Sequence, residues 1–492
     1  MKAWRVEIYA WQNKLEGNEF MGLNDILSKI NDVMYTYILV ILLVGVGIYF
    51  TIRTRGVQFR LLGDGIKSML EKTEKDEKGE KKVSSFQALM ISTASRVGTG
   101  NIAGIATAIA AGGPGAVFWM WIMAIIGGAS AFIESTLAQI YKVKEDGQYR
   151  GGPSYYMEKA LGKRWMGILF SILLIICFAY GFNGLQSYNM SSALEYYITD
   201  YSNTIWPMVV GVVLAVATGF VIWGGAHRIG FISSVIVPVM ATAYILLGLV
   251  TMILNITELP AMFAMIFEAA FDVKAIMGGF AGSAVVIGIK RGLFSNEAGM
   301  GSAPNASASA DVDHPVKQGL VQIISVFIDT LLICSSTAIM LLVSGVEGKS
   351  GTLDGISYVQ AAISSNVGEW GIHFITFSIF AFAFSSLIGN YFYAESNILF
   401  IKNNKLLLNI FRVTCVVAVF LGAQADFGLV WNLADVTMGL MAIVNILAIF
   451  LLGNIAIKVL KNYEKQKKAG EKPVFYEDEV GITGTVWTRD RK

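Results

Sequence analysis

Apolar runs such as TYILVILLVGVGIYF (36–50), GILFSILLIICFAYGF (167–182), VFIDTLLICSSTAIMLLV (326–343) and VTMGLMAIVNILAIFLLG (436–453) leave few architectures open to this chain. A helix needs about 20 mainly apolar residues to cross a bilayer, and in lipid a segment must pair its own backbone groups. Charged residues make up only 15% of the 492 residues, against about 25% in a soluble domain. The runs therefore predict an all-α polytopic membrane protein. Spans fall near 35–53, 87–111, 115–140, 165–198, 205–223, 229–255, 276–308, 316–345, 371–401, 406–424 and 428–456, eleven transmembrane helices in all.

Positive charge tests that count, because Lys and Arg collect on the cytoplasmic side. With the N-terminus outside, the inner loops and tail hold 29 Lys and Arg, nine of them in 53–86 and nine from Lys458 onward. The outer loops after the first span hold two, Lys274 and Lys349. Skipping one helix would scramble this asymmetry, so the expectation is N-out and C-in, in the cell membrane. The run EKTEKDEKGEKK (71–82) mixes both signs and reads as a solvated loop face. Residues 1–34 form an N-terminal extension with no cleavable signal; a more ordinary start lies at Met21, so 1–20 read either as an extension or as an early start. The segment 35–86 holds an extra helix and a cytoplasmic loop, and 457–492 a short charged cytoplasmic tail.

Ten spans remain after the first: five in 87–255 and five in 276–456. An odd number per half gives the second half opposite polarity, which predicts a 5+5 inverted repeat. Interrupted helices at matching positions are the best sequence pointer to a transport site in such proteins. Both leading helices are interrupted, by SRVGTGNIAG (95–104) and by GLFSNEAGMGSAPNASASA (292–310). The first stretch reads G-x-G-x-x-A at Gly98, Gly100 and Ala103, close to a dinucleotide fingerprint, but it lacks the preceding soluble strand that a phosphate loop requires. Bared N–H groups of a half-helix suit a carboxylate, and bared carbonyls suit Na⁺ or an ammonium. The competing reading, small residues that only let helices pack closely, explains one such motif better than two at matched positions containing Asn101 and Asn296.

Arg96, Glu134, Glu297, Asp329 and Glu395 lie within spans, where each charge costs about 2.5–3.5 kcal/mol on the insertion scale. Arg96, Glu297 and Asp329 are gating candidates, with Arg96 expected to pair with one of these acids either statically or in one state. Lys290 and Arg291 are expected to snorkel or to line a water-filled path. The three cysteines, Cys177, Cys334 and Cys415, sit in apolar runs and read as packing residues. Three scattered histidines argue against a histidine metal site. No nucleophile–base set or pair of carboxylates at catalytic spacing appears, so an enzyme is not expected, nor an organic cofactor or nucleic-acid partner. An amino-acid-gated channel and a non-transporting membrane receptor remain as alternatives. A channel tends to repeat one element around a ring, and a receptor to append a signalling domain.

Four stretches carry a resemblance over Met21 to the last span: YFTIRTRGVQFR (49–60), SRVGTGNIAGIATAIAAGGPGAVFWMW (95–121), GGPSYYMEKALG (151–162) and LFSNEAGMGSAPNASA (293–308). They resemble the alanine or glycine:cation symporter family, whose members share the leucine-transporter fold. The resemblance implies symport of a small neutral amino acid coupled to Na⁺, sometimes to H⁺. It implies that Gly98, Thr99, Gly100 and Asn101 hold the substrate carboxylate, while Phe294, Asn296, Gly299 and Met300 face the ammonium and side chain. It further implies that Gln186 reaches the substrate, and that Ser385 and Ser386 join the carbonyls of Ala94 and Val97 around Na⁺. Many relatives carry a tryptophan where this chain has Asn390. That exchange either opens the pocket to glutamine or asparagine in place of alanine, or merely bonds a neighbouring helix.

Overall fold

The computed structural model describes residues 22–71, 82–145, 147–272, 282–349 and 353–489. The extension 1–20, most of the charged run 71–82, Lys274 and the start of the span expected from 276 lie outside them.

The described chain is mostly helical. In order it forms α1 (Leu23–Arg53), α2 (Ser85–Arg96), α3 (Ala103–Gly112), α4 (Gly115–Ile140), α5 (Arg164–Ser192), α6 (Trp206–Ile222) and α7 (Gly225–Leu254). The second part forms α8 (Ala284–Asn296), α9 (Pro304–Ser309), α10 (Pro315–Leu342), α11 (Trp370–Ile401), α12 (Lys405–Gly422) and α13 (Phe427–Lys468). Among the described residues, eight of these are long and apolar enough to cross a membrane: α1, α4, α5, α7 and α10 to α13. The other three predicted spans fall on α6 and on the interrupted pairs α2–α3 and α8–α9.

Local chemistry explains the starts. Ser84 Oγ accepts from Gln87 N at 3.0 Å and Gln87 Oε1 from Ser84 N at 3.0 Å, a reciprocal box that satisfies two otherwise unpaired donors. Asp426 Oδ1 caps α13 through Leu429 N (3.1 Å). Three long helices contain a π-helical segment: Met34–Leu39 in α1, Ile176–Phe182 in α5 and Ile328–Cys334 in α10. Such segments reset the direction of the side chains that follow.

Some boundaries differ from expectation. The span expected to reach 198 stops as a helix at Ser192, where the chain turns. The last helix runs on to Lys468 through KVLKNYEKQKK, whose Lys, Glu and Gln residues favour helix. The loop 142–164 carries a small antiparallel hairpin, Val143–Glu145 with Gln148–Arg150, the one pair of strands among the described residues and a departure from all-α.

Candidate substrate and cation site

The first interruption follows from its glycines. After Arg96 the chain extends at Gly98 (φ −134, ψ −153), makes a single 3₁₀ turn over Thr99–Asn101, and resumes as α3. A Cβ on Gly98 would sit 2.8 Å from Gln186 Nε2, and one on Gly100 would sit 2.6 Å from Cδ1 of Phe294. Both positions are therefore closed to any larger residue while their neighbours stay in place. The freed amides find side-chain oxygens: Gly98 N donates to Asn101 Oδ1 (2.9 Å) and Thr99 N to Gln186 Oε1 (3.0 Å). These are the neutral acceptors that a carboxylate at this turn would have to join or displace.

The second interruption is built with left-handed backbone: Glu297 at φ +54, Gly299 at +84 and Gly301 at +88. A non-glycine residue in that region is sparsely populated and costly, and such strain clusters at functional sites. Glu297 is held there by both carboxylate oxygens, Oε1 to Ser95 Oγ (3.0 Å) and Oε2 to Ser302 Oγ (2.6 Å). Gly299 N donates to Glu134 Oε1 (3.2 Å), and Asn445 Nδ2 reaches Glu134 Oε2 (2.8 Å) and Gly299 O (2.9 Å).

Asp329 joins the first break to the last turn of α8. Its Oδ1 accepts from Asn101 Nδ2 (2.6 Å), and its Oδ2 accepts from Ser295 Oγ (2.5 Å) and Thr330 Oγ1 (2.9 Å). Thr337 Oγ1 closes the cluster onto Asn101 O (2.6 Å). The π-helical segment of α10 puts Asp329 and Cys334 on this face together. On the other side the Phe294 ring lies against Gly100 and meets Phe182 (4.8 Å) and Trp431 (5.4 Å). Apolar rings thus close on the first break at Gly100, and a carboxylate binds it at Asn101.

Oxygen atoms converge beside the first turn. Ser386 Oγ lies 3.0 Å from Ala94 O and 3.3 Å from Val97 O. This all-oxygen set suits a hard cation. Ser385 does not belong to it: its hydroxyl turns back to Phe382 O on its own helix (2.8 Å).

The other expected residues sort plainly. Gln186, Thr99, Gly100, Asn101 and Phe294 come together. Asn296 Oδ1 accepts from Ala298 N (3.0 Å) and so caps the second break. Met300 is buried and its N–H bonds Glu297 O (3.2 Å). Asn390 spans helices: Oδ1 meets Ser95 Oγ (2.7 Å) and Nδ2 donates to Asn183 Oδ1 (3.0 Å). The expected pairing of Arg96 with an acid is not present. Arg96 is buried and its Nη1 donates to Gln322 Oε1 (3.0 Å), because hydroxyl, amide and backbone donors already occupy Glu134, Glu297 and Asp329. Lys290 and Arg291 do not snorkel. Arg291 grips Asp435 with two bonds (3.0 and 3.1 Å), Lys290 lies 2.6 Å from the same carboxylate, and Arg291 stacks over Trp431 at 4.3 Å. Glu395 pairs with Arg412 (3.1 Å).

Sequence reasoning passed over Asp435, Gln322, Asn183, Ser295 and Asn445. Asp435 carried a visible signal, an acid inside an apolar span; the amides and the serine carried none without their neighbours.

The long apolar helices mark a multi-pass membrane protein, and the relatives below are transporters. The sodium:alanine symporter family model matches residues 20–477, and the chain belongs to that family. It is 48% identical over 452 residues to the amino-acid carrier protein AlsT of Bacillus subtilis (strain 168), covering 92% of this chain and 94% of that one. It is also 48% identical over 456 residues to the probable sodium/glutamine symporter GlnT of the same organism, covering 93% and 94%. The sodium/alanine symporter AgcS of Methanococcus maripaludis is 36% identical over 451 residues, covering 91% and 99%. Among solved structures, MhsT in complex with L-phenylalanine shares the fold, with a TM-score of 0.50 at 14% identity over 82% of this chain and 94% of that one.

Proposed function

We propose that this chain carries a small neutral amino acid across the cell membrane together with Na⁺, by alternating access, with its N-terminus outside and its tail in the cytoplasm. In this reading α1 is followed by two inverted sets of five spans, the first led by α2–α3 and the second by α8–α9, eleven crossings in total. The observation that carries the proposal is the approach of the two helix breaks, with Asp329 tying Asn101 to the end of α8 and Ser95 bonded to Glu297, beside the Ser386, Ala94 and Val97 oxygens. Irregular backbone at such depth is tolerated only where protein or a cavity satisfies it. The substrate carboxylate docks on the amides of Gly98 to Asn101, where Gln186 and Asn101 now serve as acceptors. The ammonium faces the second turn, and Phe294 with Trp431 bounds the side chain. Na⁺ takes the three oxygens beside the first turn.

The close ring contacts of Phe294 with Phe182 and Trp431 support a small side chain such as that of alanine or glycine. GlnT, named for glutamine, is 48% identical and AgcS, named for alanine, 36%, so the family name alone does not choose. Both ends of the Asn390 amide are spoken for, which favours the helix-bonding role over a polar subsite. A thermal-shift screen of the neutral amino acids tests the proposal. Alanine or glycine is expected to raise the unfolding temperature in Na⁺ and not in K⁺; stabilisation that ignores the cation, or none by any amino acid, contradicts it.

A further inference from the structure

The tail does not behave as a solvated appendage. After α13 it folds back and buries Trp487 completely, with Nε1 donating to Gln139 O at 2.8 Å. Phe475 packs on that indole (5.5 Å) and on the His314 ring (5.3 Å), and its N–H donates to Asp313 O at 2.9 Å. Lys472 pairs with Asp313 (2.8 Å), and Glu477 N closes the tail on itself at Trp487 O (3.0 Å).

What the tail covers gives this contact its meaning. Gln139 Nε2 holds Ser307 O (2.5 Å) and Ala310 O (3.0 Å), the carbonyls that end α9. Lys142 Nζ holds Ala310 O (2.7 Å) while lying 4.9 Å over the Trp487 ring and 4.0 Å over Tyr149. One residue further, Asp311 N donates to Val83 O (3.0 Å), and Asp311 pairs with Lys82 (2.7 Å), at the start of α2. The tail-side halves of both broken helices, α2 and α9, are therefore tied to each other and to α4 at one junction, and Trp487 holds the Gln139 backbone carbonyl and lies under the Lys142 ammonium beside that tie.

We propose that the tail is a latch on the tail-side gate and that Trp487 is its positioning residue: it keeps Gln139 and Lys142 on the end of α9, and opening toward the tail side requires its release. Half-helices that close a central site must separate for the site to open on that side. A contact made only in the closed state shifts the population toward that state. The latch rests on the transport reading, but its test uses neither substrate nor flux, so failed uptake and a failed latch are separate results.

The full chain in lipid nanodiscs is given a reporter, Ser307→Cys on α9, and its rate of modification by a membrane-impermeant maleimide is measured. The three native cysteines are buried, and the parent protein supplies the background. Trp487→Ala is expected to raise the rate about tenfold, a modest population shift. Trp487→Phe, which keeps a ring over Lys142 but has no donor for Gln139 O, is expected to fall between. A far-side reporter, Ser191→Cys, is expected to stay level or slow. Lys472→Glu perturbs an exposed contact without threatening the fold, and is expected to move the α9 reporter in the same direction by less. Unchanged α9 labelling in both Trp487→Ala and Lys472→Glu overturns the latch. Equal acceleration at both reporters also overturns it, because that reports general loosening.

Discussion

Ser386 and Ser385 are neighbours in sequence with opposite surroundings, and that contrast is a direct test of the cation site. Ser386 contributes its oxygen to the set with Ala94 O and Val97 O, while Ser385 bonds its own helix. Removing one neutral oxygen ligand costs about 1 kcal/mol, or about fivefold in affinity. Ser386→Ala is thus expected to raise the Na⁺ concentration for half-maximal uptake about fivefold, and Ser385→Ala to leave it unchanged. The reverse order would move the site. At this scale the sequence was informative about residue type and silent about direction. A pair of serines on a helix marks a polar face, but which hydroxyl leaves that helix depends on how closely α11 approaches α2. Asn390 shows the same limit: an amide in an apolar span announces a polar contact without naming Ser95 and Asn183 as its partners.

Broken helices are legible because glycine, serine and asparagine within an apolar run lower helix propensity by known amounts. Both interruptions accordingly fall inside the stretches read as broken, and the second is bounded by Pro304 and the left-handed Glu297. The contact between the first break and the end of α8 is not legible, since it depends on the π-helical segment that turns Asp329 toward Asn101 and Ser295. It also depends on Phe294 lying against Gly100. Gly100→Ala places a methyl group against that ring and overpacks the site, at about 1–3 kcal/mol. Uptake is expected to fall at least tenfold, and Gly100→Ala with Phe294→Leu to recover part of it. Full activity in the single variant, measured at equal membrane abundance, would mean that the two turns do not close on each other. The Arg96 bond to Gln322, with no acid paired to Arg96 among the described residues, belongs here too. Counting charges in spans predicts partners of opposite sign, yet Glu134, Glu297 and Asp329 accept from neutral hydroxyl, amide and backbone donors that sequence alone does not bring together.

Across the whole molecule, the tail and the half-helices share one buried junction around His314. Its Nδ1 accepts from Val316 N (3.2 Å) at the start of α10, and Nε2 meets Asn462 Oδ1 (3.1 Å). Burial, together with the nearby Lys317 charge, pushes its pKa down to about 3, against the support of Asn462 and Asp313; the rings of Tyr463 and Phe475 flank it. An unfolded histidine titrates near 6.5. The folded form stays neutral while the unfolded one takes up a proton. The His314 contribution to stability is therefore complete above about pH 6.5 and is lost as pH falls, by about 1.4 kcal/mol per unit. The unfolding temperature is expected to drop between pH 6.5 and 5, and His314→Asn, which keeps a capping oxygen but does not titrate, to flatten that decline. An equal slope in the variant would assign it to other groups. The apolar helical character was readable from hydropathy: eight of the expected spans are helices long and apolar enough to cross a membrane among the described residues. The tail was not, because its lysines and glutamates resemble a solvated segment and only Phe475 and Trp487 hint at a buried one.

The central claim is that two unwound turns and one oxygen cluster couple an amino acid to Na⁺. Its most direct measurement is uptake of labelled alanine by purified protein in proteoliposomes under an inward Na⁺ gradient, with K⁺ substituted in the control. The account predicts saturable accumulation that stops when Na⁺ is replaced and that collapses in Asp329→Asn. Alanine flux of equal size with either cation, or flux that never saturates, would contradict it.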